Sequence, residues 1–189
     1  MKHTISLLVE NKPGVLSRVA GLFSGRGFNI ESLSVAQTLD SQISRMTILT
    51  TGDDQILEQI IKQLNKLINV IKVIDFKNNE YVGRELALIK VTVTDKTRSE
   101  ILSIVDIFRG KVLDVSPESY TVEITGDENK INAILDLFLS LGIKEVARTG
   151  SAALIRGSKS RVVRNKKAGN LTSESTHITG EEVAHREED

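Results

Sequence analysis

The chain has no cysteine, no tryptophan and only two prolines in 189 residues. Without a thiol, disulfide frameworks, thiolate metal sites and cysteine nucleophiles are excluded. Three histidines, His3, His177 and His185, are too scattered to suggest a metal site. They are read as solvated side chains. Neither sign of charge is in excess, because 25 Lys plus Arg balance 25 Asp plus Glu. A nucleic-acid binder usually carries a basic surplus, so composition argues against one. Aromatics are few, five Phe and two Tyr, which leaves little for base stacking. No apolar run approaches the ~20 residues of a membrane span. The first residues enter a strand-like pattern without a targeting segment. A bacterial cytoplasmic location is expected, or the plastid stroma if the chain is organelle-encoded.

What is present is periodicity. Ile5, Leu7 and Val9 alternate as in a strand, and Pro13-Gly14 breaks the run. Val15, Leu16, Val19, Leu22 and Phe23 follow at helical spacing, and Gly25 and Gly27 end the helix. Residues 28–38 and 43–51 read as strands. Residues 55–68 read as a helix with Ile56, Ile60, Ile61, Leu64 and Ile68 on its apolar stripe. Residues 70–76 close the unit. The order is βαββαβ, and it recurs over 86–148. Arg26-Gly27 is echoed by Arg109-Gly110, and Thr51-Gly52-Asp53 by Thr125-Gly126-Asp127. The expected fold is α+β, two tandem ferredoxin-like βαββαβ domains with helices on one face of each antiparallel sheet. Expected boundaries are 1–77, a linker at 78–84, and 85–156. A charged tail follows at 157–189, read as disordered. In this topology the second strand is an apolar sheet edge, and such an edge is a pairing site. A homodimer joined edge to edge through the first domains is expected. Packing through the helices is the alternative.

One loop suits a ligand. In Glu10-Asn11-Lys12-Pro13-Gly14-Val15-Leu16 the first strand feeds the first helix. Gly14 lets a ligand approach the backbone. The first-turn N–H groups of Gly14, Val15 and Leu16, aided by the helix dipole, favour a carboxylate. Asn11 could hold an ammonium or a carboxylate, and Val15 and Ile30 a small aliphatic side chain. Together these elements suit a free amino acid.

The longer string, residues 10–23 followed by Arg26-Gly27-Phe28-Asn29-Ile30-Glu31-Ser32-Leu33, resembles the regulatory small subunits of acetohydroxyacid (acetolactate) synthase. Ser44-Arg45-Met46-Thr47, residues 107–115 and Tyr120-Thr121-Val122-Glu123 extend the resemblance over about residues 2 to 157. The first half resembles an ACT domain, an amino-acid-sensing module. The resemblance implies a non-catalytic chain with no cofactor of its own. The implied partner is a large catalytic subunit carrying thiamine diphosphate, Mg and FAD. The implied role is to activate that subunit and to confer feedback inhibition by valine, with leucine or isoleucine as alternatives, in branched-chain amino acid biosynthesis. It also implies effector sites at a dimer interface, with Asn11, Gly14, Val15 and Leu16 from one chain and Asn29 and Ile30 from its partner. Glu31, Ser32 and Leu33 are candidates for docking on the catalytic subunit.

Three other readings share parts of this plan. An RNA-binding domain has the same element order, but Arg26-Gly27-Phe28 precedes the second strand and no aromatic run follows. A small phosphatase using Arg18 or Arg26 with Asn11 lacks an acid–base pair, a nucleophile and a phosphate loop. A free-standing ACT sensor does not account for the second half.

Overall fold

The computed structural model describes residues 1–77, 80–157 and 163–164. The first unit comprises β1 (Lys2–Glu10), α1 (Val15–Ser24), β2 (Ile30–Gln37), β3 (Ile43–Thr51), α2 (Asp54–Leu64) and β4 (Val70–Asp75). The second comprises β5 (Tyr81–Thr92), α3 (Arg98–Ile107), β6 (Lys111–Val115), β7 (Ser119–Gly126), α4 (Glu128–Leu139) and β8 (Ile143–Arg148), then β9 (Ala152–Ile155) and β10 (Val163–Arg164). The strand orders β4-β1-β3-β2 and β8-β5-β7-β6 match element for element. This is the expected tandem α+β plan, with β2 at an edge. In each sheet the two antiparallel central strands carry the core. Ile5, Leu7 and Val9 lie across from Ile48 and Met46 under α1 and α2. Ala87, Ile89 and Val91 occupy the same place under α3 and α4.

Several local features differ from the periodicity. The second helix ends at Leu64, where the next N–H groups tighten to three-residue turns, Lys66 to the Gln63 carbonyl and Leu67 to the Leu64 carbonyl. Ile68 is therefore outside the stripe and exposed, and Leu57 is buried in its stead. His3 is buried, with Nε2 3.0 Å from the Gly52 carbonyl oxygen. Of the segment expected as linker, Tyr81–Arg84 are the first four residues of β5. They pair with β9, a strand the periodicity did not signal. Val163 and Arg164 pair with β4. The expected tail from 158 to 162 and from 165 on, with His177 and His185, lies outside the described residues.

The two echoes behave differently. Asp53 and Asp127 cap α2 and α4 alike, each side chain accepting an N–H three residues on at 2.8 Å. The glycines before them, Gly52 and Gly126, leave room for the side chains of Ile56 and Lys130. The Arg-Gly echo is shifted by one. Phe28 N–H donates to the Phe23 carbonyl in the first unit, and Gly110 N–H to the Val105 carbonyl in the second. These six-to-one bonds make Gly27 (φ +70°) equivalent to Arg109 (φ +52°). Gly110 is small for another reason, since a Cβ there would strike the Ile124 side chain. Arg109→Gly is expected to relieve the left-handed backbone and raise stability by about 1 kcal/mol, measured as an upward shift in thermal midpoint.

Candidate functional site

The loop from Asn11 to Gly14 is held at both ends. Asn11 N–H donates to the Gln42 carbonyl at 2.7 Å, and its side-chain amide donates to the Ser41 carbonyl at 2.8 Å. This ties the loop to the β2–β3 turn and leaves Asn11 Oδ1 as an acceptor. Upstream, the Glu10 carboxylate accepts from Asn69 Nδ2 at 2.6 Å and pairs with Lys12 at 3.2 Å. The Asn69 bond and then Lys12 hold its carboxyl below the usual range. Arg18 on α1 donates to the other side of Asn69. The start of α1 is thus fixed relative to the sheet through Asn69, a residue outside the loop that no local pattern marks.

Gly14 takes φ +81°, a conformation that suits glycine, and nothing lies within 4 Å of where a Cβ would stand. Val15 N–H turns back to the Lys12 carbonyl at 3.3 Å. The N–H groups of Gly14 and Leu16 have no partner among the described residues. Of the four helices among the described residues, α1 alone has neither a side-chain cap nor an acidic residue in its first turn. Its positive end is therefore uncompensated.

Two expected ligand contacts of Val15 are corrected. Its side chain is 3% exposed, in the core with Val19, Leu22 and Phe23, and its N–H is engaged. Neither faces a ligand. Leu16 is 44% exposed beside the open turn.

Asn29 and Ile30 lie elsewhere. Asn29 has an exposed side chain, and its carbonyl accepts from Thr50 Oγ1 at 2.6 Å. Ile30 is half-buried opposite Thr50. Glu10 and the loop after it lie opposite Ile43, seven residues along β3. At ~3.3 Å per residue, the two halves are roughly 23 Å apart along the sheet. One chain does not bring them together. Of the docking candidates, Glu31 pairs with Lys2 at 3.4 Å. Ser32 lies under the backbone of Gly150, and Leu33 packs on the first core.

Among the described residues no cluster of His, Asp or Glu suits a metal ion, and no helix is long and apolar enough to cross a membrane.

Comparison with known proteins agrees with this architecture. The family model described as an AHAS small subunit-like ACT domain matches residues 5–72. The model for the small subunit of acetolactate synthase matches residues 84–157. A probable acetolactate synthase small subunit from Archaeoglobus fulgidus is 56% identical over 159 residues, 84% of this chain and 99% of that one. The acetolactate synthase small subunit of Aquifex aeolicus is 54% identical over 156 residues, 82% of this chain and 81% of that one. The crystal structure of the small subunit from Thermotoga maritima superposes with a TM-score of 0.76 at 44% identity, covering 84% of this chain and 99% of that one. Two sheets of matching order, an ACT-like first unit with an open helix start, and relatives of this likeness place the chain in the family of acetolactate synthase small subunits.

Proposed function

We propose that this chain activates an acetohydroxyacid synthase catalytic subunit and makes it sensitive to valine, with chemistry and cofactors residing in the partner. The uncompensated start of α1 supports the reading most directly. It offers N–H groups to a carboxylate, with Asn11 Oδ1 nearby as an acceptor for the ammonium. Leu16 and the partner's strand supply apolar contact. The site needs two chains. If two β2 edges pair antiparallel about a two-fold axis, Asn29 and Ile30 of one chain come beside the β2–β3 turn of the other. Asn11 is bonded to that turn. The separation of roughly 23 Å along the sheet within one chain then becomes the reason for a homodimer. Valine bridging the chains inhibits only if it binds one arrangement of the dimer better than another, since only differential affinity shifts an equilibrium. Glu31, Ser32 and Leu33 stay as the proposed docking strand, with Glu31 the exposed member. Reconstitution with the catalytic subunit tests this function. Addition of the chain should raise acetolactate formation, and valine should then lower it. No activation, with valine still bound, would favour a free-standing sensor.

A further inference from the structure

The two units meet across an open cleft of about 860 Å³. Thr4, Ser32 and Leu49 line it from the first sheet, and the start of α4 and the β8–β9 turn from the second unit. A small apolar contact also joins the units, where Ile74 and Phe76 meet Ala153 and Ile155. Of the ion pairs between described residues, one joins the units. The Lys2 ammonium pairs with Glu128, in the first turn of α4, and with Glu31 on β2 at 3.4 Å. Glu31 directly follows Ile30, the strand half of the proposed effector site. A second contact lies on the next residue. A Cβ at Gly150 would stand 2.5 Å from Ser32 Oγ, so the β8–β9 turn rests on β2 itself.

We infer that Lys2 is a coupling residue, linking the effector-facing strand β2 to helix α4 across the inter-unit cleft, so that effector occupancy sets the arrangement of the second unit. The inference rests on the effector reading above. The two main cores are separate clusters. The units can therefore change their mutual angle without repacking either core, and the cleft leaves room for it. Lys2 is half exposed, so its contribution is that of a surface pair, equivalent to about a three- to fivefold change in the balance between two arrangements.

The absence of cysteine lets paired spin labels at Gln59→Cys on α2 and Asp136→Cys on α4, both exposed, report the inter-unit distance in the full chain. Labelled protein is diluted with unlabelled chain to isolate distances within one copy. Lys2→Met should broaden the distance distribution, and Lys2→Arg should restore it. Valine should shift the distribution of the wild-type and Lys2→Arg chains but not that of Lys2→Met. Calorimetry should show valine still bound to Lys2→Met, weakened no more than about fivefold. With the catalytic subunit, residual activity at saturating valine should rise about three- to fivefold in Lys2→Met. Valine binding together with wild-type distances in Lys2→Met overturns the coupling alone. Failure of the wild-type chain to bind any branched-chain amino acid overturns the effector reading and the coupling with it.

Discussion

A Gly14→Asp chain reconstituted with the catalytic subunit is expected to activate it and to be insensitive to valine. The substitution adds a carboxylate at the open start of α1, where the effector carboxylate is proposed to sit. Two like charges about 4 Å apart near a protein surface repel by about 4 kcal/mol, roughly a thousandfold in affinity. Folding should survive. A Cβ at Gly14 meets nothing within 4 Å, Asp and Asn tolerate the left-handed conformation best among residues with a side chain, and a negative charge suits a helix start. Gly14→Asn carries the same backbone demand without the charge and should weaken valine less than about tenfold. Titration calorimetry of both variants separates repulsion from strain. Equal weakening by Asn and Asp would mean that the carboxylate does not bind there.

Arg148→Ala should destabilise the second unit by about 3 kcal/mol. Glu85 is only 5% exposed, and both its carboxylate oxygens accept from Arg148, Nε to one and Nη2 at 3.0 Å to the other. Arg148 Nη1 donates to Asn132 on α4 at 3.2 Å, so the pair joins β5, β8 and α4. The Glu85 hydrogen bonds push the guanidinium further above its already high range. Losing one partner of a buried pair leaves the other charge uncompensated, which typically costs 3–5 kcal/mol. The low end applies because the Arg148 side chain is 34% exposed. A core of about 70 residues supplies little more than that in total. The second unit should therefore melt roughly 12–24 °C lower in scanning calorimetry. Replacing both partners, Arg148→Met with Glu85→Leu, should recover most of the loss. A shift below about 3 °C in Arg148→Ala would show that water already screens the pair. The turn that rests on Ser32 begins one residue after Arg148, so the single variant should also loosen the inter-unit contact.

How far each feature was legible in the sequence follows from its range. Alternation at Ile5, Leu7 and Val9 and helical spacing at Val15, Val19, Leu22 and Phe23 are local, and they give both sheets and all four helices. The Gly-Asp caps carry over between the units because one short-range hydrogen bond defines them. The Arg-Gly echo misleads by one residue, since identical letters fill different places in the two helix ends. Tyr81–Arg84 and Ala152–Ile155 escape notice because short segments with glycine or paired alanines show little alternation until each pairs with the other. Val15 fits two descriptions in sequence, a core position and a ligand contact, and packing chooses the core. The Lys2–Glu128 and Arg148–Glu85 pairs join residues 126 and 63 positions apart, and no spacing rule predicts them. The open start of α1 is legible as an absence of acid after Pro13-Gly14, and the latch of Glu10, Asn69 and Arg18 behind it is not.

The proposal that two chains share one effector site is most directly tested by mixing. Gly14→Asp disables the loop half-site, and Asn29→Trp places an indole in the strand half-site. Neither homodimer should bind valine. In a mixed dimer, the intact loop of the Asn29→Trp chain faces the intact strand of the Gly14→Asp chain. Calorimetry on the purified mixed dimer should therefore recover one valine per dimer, at an affinity close to that of the wild-type protein. No binding to the mixed dimer would contradict a site shared between chains and would place the whole effector site within one copy.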